Sequence, residues 1–437
     1  MRGLLVSPSR VLLLDASGPE AEALTRAANA AGHEVHVATE PATHGLYGSD
    51  FRRMFTGHVL TDFARPEQAL NEIVGYGRSI DVDAVLTTNE YLTPMLAEAC
   101  ALLRLPGNAP ANADAARNKI AMTKAFLTHG VDAPRTRTVV DEADLDHLLA
   151  TGNVSLPCVV KPADAAGSAG VTVLRERSAI SAAWQATRTA KRMHGIQLDH
   201  RVLVQDYIEG PEYSVESITQ EGRTTHLCIT AKILGAAPHA VEIGHSLPVH
   251  LPPPIERRAY VQAERAIKAV GIRNGASHTE LKIAPDGHCT VIEVGARAGA
   301  GHIGFLIRLA LGIDLWAAVL DIALGHPATP TPVIRNYATI RFLTSPIAGQ
   351  LNAVTGMPAV TADVPAAHVR ATIGRHVAAT RSNQDRLGYF IVTGSDAVSV
   401  ERQADELLAQ ISIDVVSPPP TQAAPCPSPT GSRKART

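Results

Sequence analysis

Two glutamates offer the clearest chemistry in this sequence. Residues 278–283 (HTELKI) and 289–294 (CTVIEV) read as strands joined by Ala284-Pro285-Asp286-Gly287-His288, a connector rich in turn formers. An even-length loop sets Glu280 directly opposite Glu293, with Leu281 opposite Ile292 on the other face. A three-residue loop with a glycine bulge would slip the pairing by one and set a glutamate against an isoleucine, contrary to the rule that one face is buried, so the even loop is expected. Carboxylates facing each other across a ladder repel, and a cation between them removes the repulsion. An all-oxygen pair suits Mg²⁺, with water and phosphate completing its shell. The plainer alternative is a solvated hairpin face with Lys282 as counter-ion. Upstream, Val159-Val160-Lys161-Pro162 ends a strand with a lysine, and Ala165-Ala166-Gly167-Ser168-Ala169-Gly170 follows as a loop of small residues whose N–H groups can approach phosphate oxygens. It is not a P-loop, since no Gly-Lys-Ser/Thr follows and a strand comes next; taken alone it is also an ordinary hairpin tip. A strand over 203–208 then leads through Glu209-Gly210-Pro211 to Glu212, whose carboxylate is placed to accept ribose hydroxyls.

The scaffold for these groups is large. The chain has 437 residues, enough for two to four domains, with 45% hydrophobic and 19% charged residues, the latter below the ~25% of an average globular protein, so the bulk is not disordered. Forty basic against 42 acidic residues leave a net charge of -2, which offers no field for nucleic acid or an anionic membrane, and neither is expected as a partner. Five cysteines (Cys100, Cys158, Cys228, Cys289 and Cys426) without a C-x-x-C exclude a disulfide framework and a zinc knuckle and suit a reducing, cytoplasmic setting. The apolar run over 11–14 is cut short by Asp15, too early for a signal peptide. The stretch 305–325 is long enough to span a bilayer, but Arg308, Asp314 and Asp321 interrupt it and Gly312 splits it, so two buried helices are expected.

A strand over 11–15, a helix over 20–31 and a strand over 34–38 make an α/β opening. Its loop Ala16-Ser17-Gly18 lacks G-x-G-x-x-G, so the unit is architectural. A strand over 82–87, a helix over 91–102 and a Pro/Gly/Asn/Ala loop over 106–114 lead to the first boundary. Further on come a helix over 119–129, strands over 338–343 and 387–392 and a helix over 400–411. Residues 417–437 have no apolar periodicity and are expected to be disordered. Gly299-Ala300-Gly301-His302-Ile303-Gly304 satisfies G-x-G-x-x-G, but two helical patterns (303–311 and 313–324) follow in place of a second strand, so a dinucleotide site is rejected. The glycines are read as letting backbone approach a substrate or phosphate near a helix N-terminus. Glu242 and His245 are three apart; an ideal strand would point them to opposite faces, so a turn at Gly244 is expected. Arg297, among glycines and alanines, can reach a phosphoryl group or carboxylate with both arms of its fork. The plainer alternatives are a helix salt bridge for Arg297 and a loop histidine without a role for His245.

Taken in order, Asn118-Lys119 before a helix, Lys161 with Gly167-Ser168, the segment from Gln205 to Glu212, and Glu280, Glu293 and Arg297 resemble the ATP-grasp superfamily over about residues 115–325. The resemblance implies an α/β chain of the α+β ATP-grasp kind. It would have a Rossmann-like N-terminal domain over 1–112, a lid subdomain over 113–204, a catalytic subdomain over 205–335, a closing α/β segment over 336–415 and a disordered tail over 416–437. It implies ATP and Mg²⁺ as cofactors, with Lys119 and Lys161 on the phosphates, Gly167 and Ser168 in the covering loop, Gln205, Tyr207 and Ile208 around the adenine and Glu212 on the ribose. Glu280 and Glu293 would hold the metal, and Lys161 and Arg297 would be catalytic. Many members have Glu-x-Asn where this chain has Glu293-Val294-Gly295, which removes a further metal ligand. The stretch from Glu242 to His245 with Pro248, and that from Glu293 to Gly301, resemble carboxylate–amine ligases of the L-amino acid ligase type. That likeness implies Glu242, His245, Arg297, Gly299 and Gly301 at the substrates, a small-molecule carboxylate and amine as partners, an acyl phosphate, and compatibility with a homodimer. Two other readings stay open. One is a ligase for a non-amino-acid acid or an unusual amine; the other is a nucleotide-binding regulatory homologue without turnover, to which Gly295 points.

Overall fold

A computed structural model describes residues 8–188, 192–193, 195–236 and 238–417. Cys426 and the expected tail from 418 onward lie outside the described residues. The opening unit is a parallel sheet in the order Gly57–Leu60, Glu34–Thr39, Arg10–Leu14, Ala84–Leu86. Val11 to Leu14 are buried on both faces, as a run without alternation requires. In place of one helix over 91–102 there is a 3-10 turn, Glu90–Leu92, and then the helix Thr93–Leu103. The Asn89 side chain caps Tyr91 N at 3.0 Å and Pro94 starts the α-helix, so the turn at Glu90 and Tyr91 is set locally.

A four-stranded sheet follows, ordered Thr136–Val139, Val202–Asp206, Cys158–Pro162, Thr172–Leu174. The strand Val202–Asp206 runs through the expected boundary at 204/205, because it pairs with lid strands up to Gln205 on one side and Asp206 on the other. The helix Lys119–His129, expected with the lid, packs Met122 and Phe126 against Ala266, Ile267, Val291 and Val294, which places it on the larger sheet.

That larger sheet has eight strands, ordered Cys289–Gly295, Gly275–Ile283, Glu212–Gln220, Arg223–Leu234, Glu242–Leu247, Tyr337–Leu343, Gly388–Gly394, Ala366–Val369. It crosses the expected boundary at 335/336: Glu242–Leu247 pairs directly with Tyr337–Leu343, so the closing segment extends the catalytic sheet. A small sheet of His376–Val377, Gly349–Thr355 and Ser412–Val416 completes the segment. On one face of the large sheet Val215, Ile229, Leu281 and Ile283 pack on Ala259 and Ala263 of the helix Pro253–Ala269. The other face carries the charged residues described below. The two apolar helices, Ile303–Leu311 and Leu315–Ala323, share one core with Val11 and Leu13 of the first sheet and Leu247 and Ile340 of the large one. Both are mostly apolar because each is covered on two sides, with Arg308 left on the exposed face of the first. Among the described residues no single helix is long and apolar enough to cross a membrane; this pair passes such a test only jointly and is bent by 109°.

Candidate active site

Strand alternation sends Glu212, Ser214 and Glu216, then Thr230 and Lys232, then His278, Glu280 and Lys282 to one face of the large sheet. That face floors a cleft of about 550 Å³, which the lid sheet and its small-residue loop cover. Glu280 pairs with Glu293. The loop, however, is not even. Ala284 N bonds His288 O at 2.9 Å, Gly287 N bonds Ala284 O at 2.8 Å, and Gly287 has φ +79, the three-residue loop with a glycine in the left-handed region. Leu281 consequently pairs with Val291, and a bulge at Ile292 restores the glutamate pairing and turns both Ile292 and Glu293 toward the cleft. Each glutamate has one oxygen engaged: Glu280 Oε1 by Lys232 Nζ at 2.6 Å and Glu293 Oε1 by Lys119 Nζ at 2.9 Å. The second oxygen of each accepts no hydrogen bond among the described residues. Two opposed carboxylates, each with a free oxygen facing the cleft, fit a hard divalent cation such as Mg²⁺.

Lys119 sits at the first position of its helix, where the macrodipole disfavours a cation, and Glu293 compensates it. The Asn118 side chain caps this helix through Ile120 N at 2.9 Å, and Lys119 Nζ also donates to Ala165 O at 2.7 Å, tying the base of the covering loop to Glu293. Lys161 lines the same cleft, and its ammonium makes no hydrogen bond or ion pair among the described residues. Its burial, with Lys119 nearby, pulls its pKa down to about 8 against the attraction of Glu293. The loop itself is held from outside the lid, by Tyr91 Oη on Ala166 N at 3.1 Å and by Asn383 N on Gly167 O at 3.1 Å. Ser168 lines the cleft beside Gly167.

Residues 207–211 carry the chain from the lid sheet to the large sheet. Tyr207 lies there with Lys282 Nζ 5.2 Å and Arg175 Cζ 5.6 Å from its ring centre, and Gln205, Ile208, Val159, Val173 and Ile292 complete an apolar slot. Glu212 closes the slot toward Lys232, at 3.0 Å.

Glu242 and His245 share a face without the expected turn. Glu242–Leu247 is a strand, and a bulge between the Gly244 and Glu242 pairings shifts the parity so that Glu242 Oε2 lies 3.4 Å from His245 Nε2. Burial would raise the Glu242 pKa, but Lys232 at 2.7 Å and Arg386 at 3.2 Å hold it down to about 2. Burial drives His245 down to about 4, so it is neutral at pH 7, and neither ring nitrogen has a hydrogen-bond partner among the described residues. His278 is the opposite case. Burial disfavours its charge, yet Glu216, 2.9 Å from Nδ1, raises it to about 9. The two glycines of the G-x-G stretch serve these histidines. A Cβ on Gly299 would lie 2.7 Å from His278 Nδ1, and one on Gly301, at φ +72, would lie 2.8 Å from His245 Nε2. Neither glycine lines the cleft, whereas Ala300 and Ile303 do. Arg297 lines it and forms a short ion pair with Glu90 while Nη1 donates to Ala298 O at 2.9 Å. Glu90, Glu216, Lys232, His278, Asn383 and Arg386 were not expected at the site. The alternation Glu212-x-Ser-x-Glu216 and His278-x-Glu-x-Lys282 was a readable signal for two of them; Glu90, Asn383 and Arg386 arrive from distant segments with none.

This arrangement of a lid sheet over a charged sheet face, with lysines on both sides of a paired carboxylate, has known relatives. Residues 154–305 match the ATP-grasp domain, 25–107 the ATP-grasp N-terminal domain and 341–416 the L-amino acid ligase C-terminal domain 2. The crystal structure of an L-amino acid ligase from Bacillus licheniformis superposes with a TM-score of 0.78 at 21% identity, covering 94% of this chain and 99% of that one. The fold is an ATP-grasp fold. Among curated proteins, the alanine–anticapsin ligase of Bacillus subtilis is 27% identical over 286 residues, 60% of this chain and 58% of its own length. Carnosine synthase 1 of Gallus gallus is 26% identical over 336 residues, 74% of this chain and 36% of its own. A Sinorhizobium fredii protein, y4rH, is 25% identical over 386 residues, 88% of this chain and 77% of its own. The chain thus resembles ATP-grasp ligases that form carbon–nitrogen bonds, and spans little more than half or less of the two named ligases.

Proposed function

We propose that this chain is an ATP-dependent carboxylate–amine ligase that joins two small molecules, L-amino acids or close relatives, into an amide through an acyl phosphate. The observation that carries the reading is Lys161. A buried ammonium without a hydrogen-bond or ion-pair partner among the described residues, beside two carboxylates with free oxygens, is arranged for a polyphosphate and a divalent cation together. Resemblance to the alanine–anticapsin ligase and to carnosine synthase supports the amine as second substrate.

In this reading the nucleotide base occupies the Tyr207 slot, with Gln205 and Ile208 beside it and Glu212 at the ribose. Lys161 meets the phosphates, and Lys119 anchors the Ala165 end of the loop that carries Gly167 and Ser168. The free oxygens of Glu280 and Glu293 would hold Mg²⁺, which would supply positive charge against the phosphates. A carboxylate oxygen of the acid attacks the terminal phosphorus and ADP departs; Arg297, oriented by Glu90, stabilises the charge that develops. The amine nitrogen then attacks the acyl carbon, phosphate leaves, and the nitrogen loses a proton. Glu242 and neutral His245 present acceptors to the N–H groups of an amine. The loop pinned by Tyr91 and Asn383 keeps water from the acyl phosphate.

The test is ADP release from ATP and Mg²⁺ with L-amino acids offered singly and in pairs, and mass spectrometry of each mixture. ADP formed only with particular pairs, accompanied by a product of their summed mass less one water, is expected. ADP with a single acid points to an acyl phosphate whose amine is an unusual one. Nucleotide binding without turnover in any mixture would leave either a ligase for a non-amino-acid acid or a nucleotide-binding homologue, the latter marked by Gly295.

A further inference from the structure

Lys232 stands at the centre of the charged sheet face, on the strand Arg223–Leu234, paired directly with Glu212 on one side and His245 on the other. Its side chain is 1% exposed. Its Nζ lies 3.0 Å from Glu212 Oε1, 2.7 Å from Glu242 Oε1 and 2.6 Å from Glu280 Oε1. An ammonium has three N–H donors and no acceptor, so three carboxylates saturate it. Without the lysine the same carboxylates would be a cation site, since one oxygen from each lies within 4.8 Å of the others. Two of the acids have a second cation, Arg386 Nη2 at 3.2 Å from Glu242 Oε2 and His278 Nε2 at 3.4 Å from Glu280 Oε1. Counting Glu216, which holds His278 Nδ1 at 2.9 Å, four acids face three cations, so Lys232 carries much of the compensation of this face.

We propose that Lys232 is a tethered internal cation that fills a three-carboxylate cage and so confines divalent metal to the free oxygens of Glu280 and Glu293. Because the cage joins Glu212, Glu242 and Glu280, the lysine also fixes the relative positions of the acids that the ligase reading assigns to ribose, amine and metal. That consequence rests on the ligase reading; the occupancy of the cage does not. Lys232 is on this view a positioning residue, replacing a metal ion with a covalently held charge that neither dissociates nor competes for the metal that accompanies the nucleotide.

The experiment is Mn²⁺ binding to the full chain without nucleotide or substrates, counted by electron paramagnetic resonance, with melting temperature recorded alongside. Lys232→Ala is expected to bind one more Mn²⁺ than the wild type, at least tenfold more tightly than any wild-type site, and its melting temperature rises with Mn²⁺. Lys232→Ser, shorter and polar, also leaves the cage open; it is the second variant should the alanine one fail to fold, and it is expected to show the same gain. Lys232→Ala/Glu212→Gln/Glu242→Gln, with one carboxylate left, loses it. No added Mn²⁺ in either single variant overturns the proposal, as does a wild-type Mn²⁺ site that Glu242→Gln removes. Since no turnover is measured, a chain that fails every ligation assay can still give the expected counts.

Discussion

The Glu90 carboxylate, on the N-terminal parallel unit, holds the Arg297 guanidinium of the ATP-grasp cleft through an ion pair 207 positions apart in the chain. Glu90 is buried, and burial would raise its pKa, but Arg297 and then Lys119 hold it below the usual carboxylate range. The first unit, read from its loop as architectural, thus sends one charged group into the site. Glu90→Gln keeps the shape and removes the charge, leaving a buried guanidinium unpaired. The expected result is a loss of roughly 3 kcal/mol in stability and at least a tenfold fall in ADP release, measured by chemical denaturation and a coupled ADP assay. Unchanged turnover would remove Arg297 from the phosphoryl end of the cleft.

In the proposed ligase, Lys161 is expected to make nucleotide affinity depend on pH. Its pKa of about 8 lies below the ordinary lysine value because it is buried, and phosphate binds only the charged form well. Affinity for ATP is expected to hold up to about pH 7.5 and to fall as pH rises through 8. Lys161→Met should bind at least tenfold more weakly at pH 7 and lose this slope. Titration calorimetry at several pH values decides; an identical slope in the variant assigns the dependence elsewhere.

Two histidines give stability an optimum. For His278 the folded pKa of about 9 exceeds the unfolded value near 6.5, so its contribution is complete below about pH 6.5 and is lost as pH rises through 9. For His245 the folded pKa of about 4 lies below the unfolded value, so stability rises between pH 4 and about 6.5. Above pH 8 the depressed Lys161 opposes the His278 loss. Denaturation midpoints across pH 4–9 should peak near 6.5, and His278→Gln should flatten the alkaline side alone.

Gly299→Ala tests the reading of the G-x-G stretch. The added methyl group would meet His278 Nδ1 and Ile303 Cδ1 at 2.7 Å and Glu216 Oε2 at 3.2 Å. Overpacking of this kind costs about 1–3 kcal/mol, and here it separates the Glu216–His278 pair. The variant should melt earlier and lose the alkaline dependence along with His278→Gln. A variant with full stability and the wild-type pH profile would return Gly299 to the substrate side.

The sequence by itself determined the elements whose causes are local. The helix Lys119–His129 spans the expected residues after Asn118, Gly312 splits the apolar stretch into two helices, and Glu280 does pair with Glu293, though by a route other than the even loop expected. It also determined the ATP-grasp resemblance, because the charged motifs lie in order along the chain. Parity was where local reading failed. A bulge at Ile292 compensated an odd loop, and a bulge in Glu242–Leu247 did the work expected of a turn, since one inserted residue exchanges the faces of everything beyond it. Only the tertiary structure decided that Lys232 joins three acids, that Glu90 holds Arg297, and that Asn383 and Arg386 reach Glu242 from the closing segment. Those contacts link residues tens to hundreds of positions apart, and their partners are selected by how sheets and helices pack, which no spacing along the chain records.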